Sequence, residues 1–139
     1  MKKLFYIFIL LFIVGWAQAQ QRVVYTINDG WKFTKGSPFE AQLTGCDDSS
    51  WETVNIPHTW NDKDADDETP GFYRGPVWYR KQLFIDKSQE GRRAMIYFEG
   101  ANQEVRFYLN GQFVGEHKGG YTRFCFDITR HLRYGQENL

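Results

Sequence analysis

The sequence lacks the features that mark nucleic-acid-binding and membrane-spanning proteins. Its 139 residues carry 17 basic and 17 acidic side chains, so there is no basic excess to neutralise phosphates. The apolar run from Leu4 to Trp16 is shorter than the roughly 20 residues with which a helix spans a bilayer. The motifs G-x-S-x-G, H-E-x-x-H and C-x-x-C are also absent, and no Ser, His and Asp spacing suggests a triad. The sequence therefore points to neither a nucleic-acid partner nor one of these common catalytic sites.

Cysteine is scarce, with Cys46 and Cys125 as the two examples. In an exported protein the two thiols could form one disulfide. Cys125 lies within a strand pattern, where a free thiol also acts as a small hydrophobic side chain. The sequence leaves both interpretations open. Neither cysteine lies near the N-terminus, which argues against a lipid-anchored start.

The first 19 residues have the layout of a secretory signal peptide. Lys2 and Lys3 precede the apolar run, and Ala17 and Ala19 stand at the two positions that signal peptidase reads. Cleavage after Ala19 would leave residues 20–139 as one domain, with 15 basic and 17 acidic side chains. We therefore expect a periplasmic or extracellular protein with no membrane segment after cleavage. An uncleaved membrane anchor is the alternative.

The rest of the sequence predicts an all-β fold. Aromatic residues make up 18% of the chain, which is typical of sheets with a thick core. About eight short strand patterns separated by turn signals, without an amphipathic helix, predict an antiparallel jelly roll or β-sandwich. These patterns cover residues 22–27, 31–33, 51–57, 77–85, 92–100, 104–109, 112–116 and 122–128.

One hairpin is predicted in detail. Asn110-Gly111 lies between two alternating strands, and both residues tolerate the positive φ that a two-residue turn requires. The expected cross-strand pairs are Leu109 with Gln112, Tyr108 with Phe113, and Phe107 with Val114. In the strand pattern that ends at residue 128, the inward side chains are expected to be Phe124, Phe126 and Ile128.

The long polar loop from Asn61 to Gly75 is the first candidate functional segment. Asp62, Asp64 and Asp66 alternate as at the start of a calcium-binding loop. The pattern then departs from that motif, because Asp67 and Tyr73 stand where the motif requires Gly and a bidentate Glu. Calcium is therefore not the expected cofactor, and no other cofactor is indicated. A solvated acidic loop is the simpler interpretation.

The same loop has the composition of a sugar-binding site. Carbohydrate sites combine flat aromatic rings, which cover the apolar face of a sugar, with carboxylates or amides that bind its hydroxyls. The candidate substrate-binding residues are Trp60, Asn61, Asp62, Asp64, Tyr73 and Arg74. His58, just upstream, is predicted to bond the loop backbone rather than to act in catalysis. No two carboxylates stand out as the catalytic pair of a glycosidase.

Four segments taken together resemble glycoside hydrolase family 2. They are DSSWETVNIPHTWN, GFYRGPVWYRKQLFI, MIYFEGANQEVRFYLNGQFVGEHKGGYTRFCFDIT and GQENL. The resemblance is to the family's N-terminal jelly-roll domain, known as the sugar-binding domain, and runs from about residue 28 to residue 139. PHTWND followed by YRGPVWYRK is most similar to exported β-galactosidase-like enzymes of Bacteroidota.

The resemblance implies a retaining exo-glycosidase that acts on terminal β-linked sugars. In that family the two catalytic glutamates lie in a later (β/α)₈ barrel, beyond an immunoglobulin-like domain. We therefore expect no catalytic residue in this chain, no activity from it alone, and an incomplete C-terminal end. In some members a loop Asn touches the terminal sugar, which makes Asn61 and Asp62 candidates for that contact.

Two other functions remain open from the sequence. One is a free-standing carbohydrate-binding module, and the other is a structural or dimerisation β-domain. The sequence also leaves open which sugar and which linkage are recognised.

Overall fold

The computed structural model describes residues 21–61 and 71–139, which form short strands and two 3₁₀ turns. The strands are β1 (Trp31–Lys35), β2 (Glu52–Val54), β3 (Val77–Arg80), β4 (Leu83–Ile85), β5 (Met95–Phe98), β6 (Glu104–Leu109), β7 (Gln112–Lys118), β8 (Phe124–Asp127) and β9 (Gln136–Asn138). The 3₁₀ turns are Lys87–Gln89 and Thr129–His131. The predicted all-β antiparallel fold is confirmed. Within the described ranges, no helix has the length and apolarity to cross a membrane.

Every strand pairing is antiparallel. β1 lies between β2 and β3, while β4 pairs with β9, β5 with β8, and β6 with β7. The single strand predicted over residues 77–85 is wrong in one respect, because it is interrupted at Lys81 and Gln82. Before the interruption β3 pairs with β1, and after it β4 pairs with β9, so residues 77–85 pair with two different strands.

The Asn110-Gly111 hairpin is confirmed at its turn and corrected in its register. Asn110 has φ of 54° and Gly111 has φ of 81°, as a two-residue hairpin turn requires. The two pairs nearest the turn are as predicted, but Phe107 lies opposite Gly115 instead of Val114. Val114 is the extra residue of a β-bulge. A side chain at position 115 would meet the ring of Phe126, because a Cβ there would lie 2.6 Å from it.

Two apolar clusters form the core. Trp31, Phe33 and Val54 are buried together between β1 and β2. The second cluster joins β5 and β8 to the β6–β7 hairpin through stacked and edge-on phenylalanine rings with centroids 4.9 to 5.7 Å apart. Its members are Phe98, Phe107, Phe124 and Phe126. The predicted inward set of β8 is confirmed, with Cys125 and Asp127 exposed between its members.

Two other sequence expectations are resolved by the fold. Residues 22–27 form no strand, and Val24 and Tyr25 are largely exposed, so their β propensity finds no partner strand in the described part of the chain. Cys46 and Cys125 are both free thiols. The disulfide that the sequence left open is therefore not formed here.

Candidate functional site

The candidate site is built on residues 57–61, the segment that leaves β2. The backbone N–H of Ile56 donates to the carbonyl of Asn28 at 2.8 Å, which holds the start of the segment beside β1. His58, Trp60 and Asn61 are half-buried. The buried end of β2 thus delivers a histidine, an indole and an amide to one place at the edge of the core.

His58 is held by a side chain, which corrects the prediction of a backbone partner. Its Nδ1 lies 2.8 Å from the hydroxyl of Tyr79 on β3. Its ring meets Phe33 edge-on, with centroids 4.7 Å apart. Burial raises the pKa of Tyr79 to about 12, so its hydroxyl remains protonated at neutral pH. The pair therefore attaches the segment to the first core cluster.

Trp60 has packing contacts with the core, whereas the side-chain oxygen of Asn61 has no bonding partner in the described residues. Trp60 packs against the Trp31, Phe33 and Val54 cluster, so part of its ring is used in the core. The amide oxygen of Asn61 is buried and has no hydrogen-bond partner among the residues that the structure describes. A buried acceptor left unpaired costs free energy, so a ligand group that bonded it would be favoured.

The other candidate residues of the loop have different surroundings. The Tyr73 hydroxyl accepts from the Gly36 N–H at 2.9 Å and donates to the Pro76 carbonyl at 2.8 Å, so Tyr73 closes its own loop. Arg74 is exposed. Asp62, Asp64 and Asp66 lie outside the described residues, so neither the sugar contact nor the calcium interpretation of these carboxylates is tested. Among residues 21–61 and 71–139, no group of His, Cys, Asp or Glu could hold a metal ion.

A cavity of about 470 Å³ lies beside this segment. Its walls are mainly apolar side chains from β1, β3, β5 and β6, and His58 and Trp60 contribute to its lining. The volume falls within the range of small-molecule pockets, which combine apolar walls with few polar groups. The arrangement can cover an apolar ligand face and offer it a small number of hydrogen bonds.

Three carboxyl groups have lowered pKa values, whereas an acid catalyst needs a raised one. Hydrogen bonds from Ser49 lower the pKa of Asp47, and hydrogen bonds from Ser88 lower that of Asp86. The Thr129 hydroxyl and N–H, with Arg93, lower the pKa of Asp127 to about 2. The proton donor of a glycosidase needs a raised pKa, so these three groups are suited to closing turns.

Arg80 is a structural residue that the sequence analysis missed. Its side chain is only 6% exposed, and its Nε donates to Asp48 Oδ2 at 2.8 Å. Its Nη1 donates to the carbonyls of Ala41 and Leu43 at 2.8 and 2.9 Å, and its guanidinium lies 5.7 Å from the Trp51 ring. One buried cation thus holds the loop before β2. The signal available in the sequence was an arginine that ends an otherwise apolar strand.

Residues 15–139 match the family model described as glycosyl hydrolases family 2, sugar binding domain. The chain belongs to this family. The match covers nearly all of the chain, and the resemblance identified from the sequence segments is confirmed. The antiparallel sandwich is the fold that this domain adopts in the similar solved structures.

Three relatives from different bacteria show how similar the chain is to known proteins. A β-glucuronidase of Formosa agariphila is 39% identical over 129 residues, which is 87% of this chain and 13% of the relative. A β-galactosidase of Thermoanaerobacter pseudethanolicus is 39% identical over 119 residues, which is 85% of this chain and 16% of the relative. A crystal structure of Bacteroides uniformis β-glucuronidase superposes with a TM-score of 0.79 and 41% identity, over 85% of this chain and 14% of that one.

The family relatives are much longer than this chain, which spans about one seventh of their length. The similarity therefore identifies the sugar-binding domain and its fold.

Proposed function

We propose that this chain is the non-catalytic sugar-binding domain of an exported retaining exo-glycosidase that removes terminal β-linked sugars. The observation that carries the proposal is the family match over residues 15–139. The relatives' names, β-glucuronidase and β-galactosidase, support a glycosidase. In this proposal the catalytic glutamates belong to a (β/α)₈ barrel beyond an immunoglobulin-like domain of the same polypeptide. The lowered pKa values of Asp47, Asp86 and Asp127 agree with a domain that does no acid catalysis.

The first candidate substrate is a terminal β-galactoside. The resemblance of the segments PHTWND and YRGPVWYRK to β-galactosidase-like enzymes supports it, as does the 39% identity to the Thermoanaerobacter pseudethanolicus β-galactosidase. A terminal β-glucuronide is the second candidate, favoured by the 41% identity to the Bacteroides uniformis β-glucuronidase. Both sugars present hydroxyls around a ring with an apolar face, so one aromatic-walled pocket suits either.

Trp60 and Asn61 are the residues that we propose to contact the sugar. Trp60 contributes an indole to the lining of the apolar cavity. The amide oxygen of Asn61 lacks a partner within residues 21–61 and 71–139, and a sugar hydroxyl that reached it would satisfy that acceptor. Asp62 and Asp64, which the sequence places just after Asn61, are further candidates for contacts with the sugar hydroxyls.

Steady-state hydrolysis by the native protein tests the function. The protein would be recovered from its source organism with an antibody to this domain and assayed on nitrophenyl β-galactoside and nitrophenyl β-glucuronide. Turnover of either substrate with retention of the anomeric configuration is expected, and the larger kcat/KM identifies the sugar. A native protein that turns over neither glycoside would contradict the proposal.

Export is a separate part of the proposal with its own test. Lys2, Lys3 and the apolar run to Trp16 support a signal peptide that is cut after Ala19. Mass spectrometry of the N-terminal peptide of the native protein is expected to find Gln20 as the first residue, in the periplasmic or extracellular fraction. A native N-terminus at Met1 in the cytoplasmic fraction would rule this out.

A further inference from the structure

The hydrogen bond between His58 and Tyr79 occupies one of the two ring nitrogens of the histidine. The Tyr79 hydroxyl lies 2.8 Å from His58 Nδ1. The Tyr79 hydroxyl, whose pKa burial raises to about 12, can donate to Nδ1 or accept from it. A neutral imidazole that accepts at Nδ1 carries its own proton at Nε2. The Nε2–H tautomer is therefore the one in which Tyr79 is the donor.

The second nitrogen of His58 has no protein partner in the described part of the chain. The one hydrogen bond of the ring is the Nδ1 contact with Tyr79. His58 is only half-buried and, with Trp60, lines the apolar cavity. A ring nitrogen without a partner in that part of the chain thus stands two residues from an indole in the same wall. A donor fixed beside an aromatic ring is a combination that binds sugar hydroxyls.

We propose that His58 donates a hydrogen bond from Nε2 to a hydroxyl of the bound sugar, and that Tyr79 is the positioning residue that fixes this tautomer. This inference rests on the proposed function, since it names a further sugar-binding group for the same site. Tyr79 is itself held by β3, where it pairs with Phe33 of β1 at a ring distance of 5.0 Å. The donor is therefore fixed by the first core cluster and not by the loop alone.

Two substitutions of His58 separate sugar binding from a structural role. In His58→Asn the amide reaches the place of Nδ1, so the contact with Tyr79 is kept and the Nε2 donor is lost. In His58→Gln the amide nitrogen reaches the place of Nε2, so the donor is kept and the Tyr79 contact is lost. A role in binding predicts that the Asn variant is the more damaged, and a purely structural role predicts the reverse.

The experiment measures kcat and KM of the full-length enzyme and its variants on the nitrophenyl glycoside that the enzyme hydrolyses. His58→Asn is expected to raise KM about tenfold with kcat within about twofold, as for a lost hydrogen bond made equally in ground and transition states. His58→Gln is expected to raise KM about threefold or less. Tyr79→Phe is expected to raise KM about threefold, because the ring is then free to change tautomer.

The controls are matched by residue type. His117 stacks on Phe124 with centroids 4.1 Å apart and bonds Thr122, so His117→Gln is expected to leave both constants unchanged. Tyr97 is exposed on β5, so Tyr97→Phe is the control for Tyr79→Phe. Wild-type KM in the Asn variant, or a larger effect in the Gln variant, overturns the inference while leaving the proposed function intact. A wild-type enzyme that hydrolyses neither glycoside overturns both.

Discussion

Replacing Asn138 by aspartate is expected to destabilise the pairing of β4 with β9 by about 3–5 kcal/mol, because it removes a buried donor and introduces a buried charge. Asn138 is 1% exposed. Its Nδ2 donates to the carbonyls of Leu83, Arg133 and Gln136 at 3.4, 2.9 and 3.2 Å. A carboxylate would direct an oxygen at these three carbonyls.

The effect of Asn138→Asp is also expected at the hairpin turn. Asn138 Oδ1 accepts from the side-chain amide of Asn110 at 2.9 Å, and Asn110 is the first residue of the β6–β7 turn. Hydrogen exchange followed by mass spectrometry on the native protein should show faster exchange in peptides that cover β4, β9 and the turn. Asn55→Asp is the control, because exposed Asn55 uses only its oxygen, which accepts from Gly30 N–H at 2.9 Å. Equal protection in the two variants would contradict the network described for Asn138.

Replacing Arg80 by methionine is expected to lower the free energy of opening of residues 38–51 by about 3 kcal/mol. Methionine keeps much of the apolar volume but removes the donors to Asp48, Ala41 and Leu43. Asp48 would lose its paired charge, and the two carbonyls would lose their donors. Asp48 is 29% accessible and recovers part of its hydration, so most of the expected loss comes from the two carbonyls and the lost charge-assisted hydrogen bond.

Amide exchange in the loop before β2 measures the effect of Arg80→Met. The reporters are turn-bonded amides such as Leu43 N–H, which donates to the Glu40 carbonyl at 2.8 Å, and Trp51 N–H, which donates to the Asp48 backbone carbonyl at 3.1 Å. Arg93→Met is the matched control, because the Arg93–Asp127 pair is exposed, with side chains 76% and 45% accessible, and surface pairs contribute little. Unchanged exchange of these reporters in Arg80→Met would show that the loop is held by something else.

Local rules predicted the parts of the fold that local chemistry decides. Asn110 and Gly111 adopt the positive φ values that their types permit, and the two residue pairs beside the turn follow from its length. The register beyond them depends on Phe126, a residue distant in sequence that needs the space left by Gly115. The bulge at Val114 therefore could not be read from the hairpin alone.

The remaining differences also arise from long-range partners. The break after Arg80 reflects pairing of β3 with β1 and of β4 with β9, and neither partner is evident from an apolar run. In the candidate site, the sugar contacts of Trp60 and Asn61 stay predictions, and the partner predicted for His58 is wrong. Tyr79, 21 residues away, becomes its neighbour only when β3 pairs with β1. The alternation of side chains within a strand shows which of them share a face. It does not show which side chains of another strand they contact.

Fold and function stand on different evidence in this protein. The family is established by the match over residues 15–139, and the sandwich by its strands and by its likeness to solved relatives. The reaction is a proposal, since a shared domain does not by itself establish a chemistry. The central claim is accordingly that this domain binds and positions sugar while the catalytic carboxylates lie elsewhere.

Hydrolysis of nitrophenyl β-galactoside and β-glucuronide by residues 20–139 alone, beside the native protein, tests that claim most directly. Circular dichroism of the isolated chain would first establish that its β structure is present. The account predicts turnover by the native protein and none above background by residues 20–139. Turnover by the isolated chain, abolished by substitution of its own carboxylates, would contradict the account.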